Sequence, residues 1–191
     1  YINIYDSRGK EYNSFKLGSI DFIHTSSEES EEYIGSLGYN KKTYENREYD
    51  YLALNCKNTI LQYQEIRQAI SMIIDKEKIV ASVLENKATI ANYPLLNNYY
   101  LTVGLTKENK TKAKEILENS GWNYEYGIWQ KEIEGITKTI NIDLVVSKEN
   151  KKRIKVATEL KAKLEEFGIK INIKEVSNQQ YNKYLKNKNY E

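Results

Sequence analysis

From Thr139 to Val176 the chain writes two alternating apolar runs around one helical stripe, and few folds accept that pattern. Ile140, Ile142, Leu144 and Val146 recur every second residue, so they share one face of a strand. Asn150–Phe167 then places Ile154, Ala157, Leu160, Lys161 and Leu164 along one side of a helix, and Gly168 stops it. Ile169, Ile171 and Ile173 alternate again. A strand, a helix and a strand at this spacing make a βαβ unit, which needs parallel pairing and a right-handed crossover. The expected class is therefore α/β.

The rest of the chain reads as short elements around this unit. Tyr1–Tyr5 alternates like a half-buried strand, Glu11–Leu17 is a helical turn ending at Gly18, and Ile20–Ile23 is a short strand. Ser26 and Ser27 before Glu28–Glu32 read as an N-capped helix with acids in its first turn, running to Ile34, Leu37 and Gly38. Tyr44–Asn55 is extended. Tyr63–Ile74 is a helix whose Ile66, Ala69, Ile70, Ile73 and Ile74 form one buried stripe. Asp75 caps a second helix, Lys76–Leu84, with Ile79, Val80, Val83 and Leu84 inward. Asn86–Tyr100 is irregular and holds the only proline, Pro94. Thr106 is expected to cap a helix over Lys107–Asn119, stopped by Gly121, and Ser177 a last helix bearing Tyr181, Tyr184 and Leu185.

Composition narrows the chemistry more than it identifies it. Basic and acidic residues number 29 and 27, a net charge of +2, and they interleave. Nucleic-acid binding needs positive charge gathered on one face, so it is not expected. The basic runs Lys110–Lys114 and Lys148–Lys155 read as solvated helix faces. Seventeen tyrosines stand against three phenylalanines. Tyrosine suits binding clefts, yet Lys, Asn, Ile and Tyr are enriched together, as an AT-rich genome would write them. No apolar run approaches the roughly 20 residues that span a bilayer.

No catalytic or metal constellation is recognisable. His24 and Cys56 are each the only residue of their type, so a Ser-His-Asp triad, a Cys-His dyad, a zinc site or a disulfide framework is not expected. Phosphate-binding glycine loops are absent. Asp75 reads as an N-cap rather than a ligand. Arg67 could hold a carboxylate, though beside Glu65 a packing or surface-pair role is the commoner outcome. Trp122 and Trp129 flank a tyrosine-dense turn that could stack on a ligand; packing into the core is the expectation for both.

The stretch YLALNCKNTILQYQEIRQAISMIIDKEKIVASVL, Tyr51–Leu84, carries Tyr51, Asn55, Arg67, Gln68, Ala69, Ile70, Ile74, Asp75, Lys76, Ile79 and Val80 in the order of a Y-x-x-x-N strand, an R-Q-A-I helix and an I-D-(R/K)-x-x-I-V start. Upstream stands FKLGSIDFI at Phe15–Ile23, with Ser19 at a usual glutamate. Downstream stand KAKEILENSGW and the βαβ unit. In these motifs the chain resembles the extracytoplasmic solute-binding proteins of ABC importers, the oligopeptide, dipeptide and nickel-binding family. The resemblance implies a periplasmic-binding-protein-like (type II) fold: the end of one lobe plus the first part of the second, a mixed sheet with flanking helices, with 1–54 the tail of lobe I and crossing strand and 55–191 an incomplete lobe II. It also implies an internal stretch of a longer protein, whose signal peptide and lipid anchor would lie elsewhere.

Function follows from the same resemblance. It implies a binding protein, not an enzyme, that captures peptides or a similar small solute outside the cell and delivers them to ABC permease subunits, as a monomer without a cofactor. A regulatory or sensory interaction domain on the same scaffold is the alternative. The family's ligand cleft is lined by the segment entering the second lobe and by the loop after the I-D-R/K helix. Here these give Tyr49, Tyr51 and Asn55, then Asn92 and Tyr93 beside Pro94, in a loop with fewer prolines and glycines than the family writes.

Overall fold

Two buried tryptophans, Trp122 and Trp129, 0% and 1% exposed, mark where the elements converge. The computed structural model describes residues 1–25, 38–44, 48–91 and 108–191. These fall into two compact units, Tyr1–Asn46 and Arg47–Glu191.

In the second unit, α2 (Gln64–Ile73) buries Ile66, Ala69, Ile70 and Ile73, the spacing expected of one helix face. It packs against α4 (Lys110–Asn119), which buries Ala113 and Leu117. The strands are β1 (Asn123–Glu125), β2 (Ile128–Ile133), β3 (Ile136–Thr139), β4 (Asn141–Ser147) and β5 (Lys170–Val176). β1, β2 and β3 form an antiparallel meander; β4 and β5 pair in parallel, Ile142 opposite Ile171 and Leu144 opposite Ile173. The crossover helix α5 (Lys151–Glu166) covers this pair with Ala157, Leu160 and Leu164. Burial of such side chains stabilises the unit by roughly 1.5–3 kcal/mol for each large aliphatic. The last helix is α6 (Asn178–Asn187). The βαβ expectation holds in strands, helix and pairing.

The structure corrects several boundaries. The run expected as one strand from Thr139 is split at Ile140, because that residue bonds both ways. Its amide donates to the Trp129 carbonyl at 3.1 Å, and its carbonyl accepts from the Lys170 amide at 3.0 Å. Ile140 thereby joins the antiparallel meander to the parallel pair. The meander itself was not anticipated. Its two turns put Tyr126-Gly127 at φ +54° and +81° and Glu134-Gly135 at φ +53° and +75°, the positive-φ pairs that tight hairpins need. Neither turn carries the Asn-Gly or Asp-Gly signature.

The Asp75-capped helix is one α-turn, α3 (Lys76–Lys78), running into a π-turn over Ile79–Val83. Stiff β-branched Ile79, Val80 and Val83 are poor helix formers, and Glu85 and Asn86 end it with positive φ. α4 starts at Lys110 rather than Lys107, since Asn109 caps it by accepting from the Lys112 amide at 2.9 Å. Thr106 and Lys107, like the helix expected after Ser26 and Ser27, lie outside the described residues.

In the first unit, α1 (Arg8–Lys16) begins before the expected Glu11 because Ser7 caps it. Gly18 ends it at φ +68°. Tyr12 is its buried apolar residue among those described. The strands expected at Tyr1–Tyr5 and Ile20–Ile23 have no ladder partner among the described residues. Alternation without a sheet to join leaves Ile2, Ile4 and Phe22 in solvent. No helix of the described residues is long and apolar enough to cross a membrane.

Candidate functional site

The segment Glu48–Asn55, near the start of the second unit, carries no regular secondary structure and divides its side chains between the core, an ion pair and a ring stack. Leu52 and Leu54 pack against the core, and Asp50 pairs with Arg153 of α5. The Arg153 Nη2 and Nε lie 2.6 and 2.9 Å from one Asp50 carboxylate oxygen. Tyr49 is half-buried and Tyr51 exposed. Their rings stack, centroids 5.8 Å apart at 19°, and Tyr51 remains 72% exposed. Such a pair presents an aromatic face with a hydroxyl at its rim, suited to stacking and to a polar contact at once.

Asn55 serves the chain itself. Its amide donates to the Tyr190 carbonyl at 2.8 Å and the Lys188 carbonyl at 3.4 Å, while its oxygen accepts from the Lys57 amide at 3.1 Å. Asn58 continues the arrangement. It caps the next turn through the Ile60 and Leu61 amides and donates to the Glu191 side chain at 2.9 Å. The Glu191 carboxylate also accepts from the Asp143 amide on β4. The structure therefore brings Tyr49 and Tyr51 together and sets Asn55 apart as a tether. Asn92, Tyr93 and Pro94 lie outside the described residues.

The other residues weighed in the sequence find structural places. Arg67 points its guanidinium back at the Leu61 and Gln62 carbonyls, 2.7 and 2.9 Å away, which closes the turn before α2. The Asp75 carboxylate accepts from the Lys78 amide at 2.9 Å, the N-cap expected. Trp122 meets Tyr63 edge-on and its indole N–H reaches Glu65; the Trp129 N–H donates to the Phe167 carbonyl at 2.7 Å. Both tryptophans are core residues. His24 stacks on Tyr44 at 5.7 Å, and Cys56 is an exposed free thiol. Among the described residues no three His, Cys, Asp or Glu side chains gather as a metal set.

Two features escaped the sequence reading. Asp50–Arg153 joins positions 103 residues apart, with no local signal in the sequence. The second is a polar knot beyond the C-terminal end of β4. Buried Ser147 donates to Glu149 at 2.8 Å, and the same carboxylate accepts from the Asn178 amide at the start of α6. The Ser147 hydroxyl first, then Glu149's own amide and that of Asn178, hold Glu149 below the usual carboxylate range. The knot fixes the β4–α5 loop to α6, at the strand ends where open α/β sheets place ligands.

Comparison with known proteins gives this geometry a family context. The sequence pattern of the bacterial extracellular solute-binding proteins, family 5 Middle, matches residues 2–191. The oligopeptide-binding protein AppA of Bacillus subtilis (strain 168) is 30% identical over 128 residues, 64% of this chain but 23% of AppA. The AppA structure with a nonapeptide superposes with a TM-score of 0.62 at 26% identity, covering 69% of this chain and 27% of that one. A nickel ABC transporter structure from Bacillus halodurans reaches a TM-score of 0.73 at 16% identity, covering 96% and 38%. NikZ from Campylobacter jejuni, solved with Ni(L-His), reaches 0.71 at 22%, covering 89% and 34%. The chain thus spans about a quarter to two fifths of these relatives, and its fold is periplasmic-binding-protein-like.

Proposed function

The chain belongs to the family 5 bacterial extracellular solute-binding proteins, and from that premise we propose that it is the part of an importer's binding protein that presents Tyr49 and Tyr51 to a captured peptide. In this reading 1–54 ends one lobe and carries the crossing strand, and 55–191 opens the second. The whole protein takes up its solute outside the cell by closing two α/β lobes, then delivers it to an ABC permease. It works as a monomer, held at the membrane by a lipid anchor or free in a periplasm. Asn55 sets the segment's course, and Asn92 and Tyr93 contribute further contacts.

Peptide is favoured over other solutes by the likeness to AppA, at 30% identity, whose structure holds a nonapeptide. The stacked pair supports the same choice. A binder of varied sequences needs adaptable aromatic surface with a polar rim more than it needs a fixed set of charges. The role requires no catalytic group and no metal.

Thermal unfolding of the full-length protein tests this against mixed-sequence nonapeptides, a nickel–histidine complex and an oligosaccharide. Peptide at a hundred times its Kd adds about 2.7 kcal/mol, a rise of several degrees that grows with concentration. A rise with the nickel complex or the sugar alone replaces peptide with that solute. No rise with any of them removes the uptake role and favours a sensory domain on the same scaffold.

A further inference from the structure

We propose that Arg153 is a positioning residue for solute binding: through Asp50 it fixes the backbone between Tyr49 and Tyr51 and so keeps their rings stacked, with Tyr51 open to solvent. The inference rests on the reading of Tyr49 and Tyr51 as a ligand surface, and it adds the device that prepares that surface.

The geometry points to orientation rather than to stability. Arg153 and Asp50 side chains are 47% and 71% exposed, and ion pairs this open add little to folding. Yet the contact is not a loose one. Two nitrogens of one planar guanidinium converge on a single carboxylate oxygen, a fork that lysine, with one point charge, does not reproduce. Leu52 and Leu54 anchor the following part of the segment by burial in the core. Asp50 has no such burial, and Arg153 supplies its anchor. Arg153 in turn stands in the first turn of α5, where the Asn150 cap, accepting from its own amide at 2.9 Å, fixes the backbone.

The tyrosines flank the anchored residue on both sides. Turning the peptide planes at Asp50 swings Tyr49 and Tyr51 apart, because both ring positions are set from the backbone it holds. With Asp50 fixed, the stack at 5.8 Å stands before a ligand arrives. Side chains immobilised beforehand need not lose their freedom on binding, which is the usual gain from pre-organisation.

The experiment pairs a structural readout with a binding readout in the full-length protein. Ring-to-ring nuclear Overhauser effects report whether Tyr49 and Tyr51 remain stacked, and fluorescence anisotropy reports the binding of labelled mixed-sequence nonapeptides. Arg153→Gln is expected to lose the ring contact and weaken binding about three- to tenfold, the cost of freeing one or two side chains, while its melting temperature stays at the parent value. Asp50→Arg with Arg153→Asp, which restores a pair of opposite charges, is expected to recover both. A ring contact that survives Arg153→Gln overturns the inference. So does unchanged affinity in Arg153→Gln where Tyr51→Ala weakens binding, or a loss that follows a lowered melting temperature and is not recovered by the swap. Should the parent bind no nonapeptide, or Tyr51→Ala bind as the parent does, the ligand-surface reading falls first and the inference with it.

Discussion

Gly168 sits between α5 and β5 at φ +92°, and a Cβ there would lie 2.5 Å from the Tyr124 ring, 3.1 Å from the Gly127 carbonyl and 3.2 Å from the Trp129 ring. The hairpin between β1 and β2 closes onto this bare backbone. Gly168→Ala combines a positive-φ penalty with a clash against the Tyr124 ring and a tight approach to the Gly127 carbonyl, so urea unfolding should show a loss of at least about 2 kcal/mol; an unchanged midpoint would contradict the packing described. Charge matters differently at Asp143. The Lys174 ammonium and then the Asn172 amide bond its carboxylate and hold it below the usual range, against the opposing effect of burial. Its contribution is therefore present above the unfolded value of about 3.9 and is lost as pH falls through the lower folded value. Lys174 is raised by the same bond, so its share is complete below about 10.4 and fades only as pH rises through its folded value. Melting curves in acid should accordingly be flatter for Asp143→Asn than for the parent, and parallel acid slopes would remove this assignment.

Helices with a polar cap and an apolar stripe are legible in the sequence alone, and α6 shows why. Ser177 accepts from the Gln180 amide while the Gln180 side chain accepts from the Ser177 amide, a capping box written in four residues. Ser177→Ala should cost about 1 kcal/mol in chemical denaturation. The double variant with Gln180→Ala should cost less than the two singles added, since each removes the other's partner; simple additivity would mean that the box is not a unit. The meander β1–β3 was illegible for the converse reason. Asn123–Glu125 is exposed throughout, so it offers no apolar alternation, and its turns use tyrosine and glutamate at positive φ where asparagine or aspartate would have signalled them. Of the candidate site, Tyr49, Tyr51 and Asn55 were found through a family motif rather than through chemistry. That Asn55 tethers the chain and that Asp50 meets Arg153 depend on contacts more than a hundred residues long, which periodicity does not carry.

The two units differ in how much apolar surface they bury, and their dynamics should differ with it. Among the described residues the first unit buries Tyr12 alone, whereas the second encloses a continuous cluster from Leu61 to Ile171. Amide hydrogen exchange should therefore be fastest in α1 and slowest in β4 and β5, with protection following local burial; slower exchange in α1 would reverse this order. Within the second unit, the bonds from Asn55 to Lys188 and Tyr190 close a loop of 135 residues. Closing such a loop costs about 4 kcal/mol of chain entropy, which two hydrogen bonds do not recover unless the intervening structure is already in place. We therefore expect the tether to form after the folding barrier has been crossed. Asn55→Ala should speed unfolding and leave the folding limb of the chevron where it was. The segment that carries the tyrosine pair would thus be among the last parts of the chain to settle and among the first to let go.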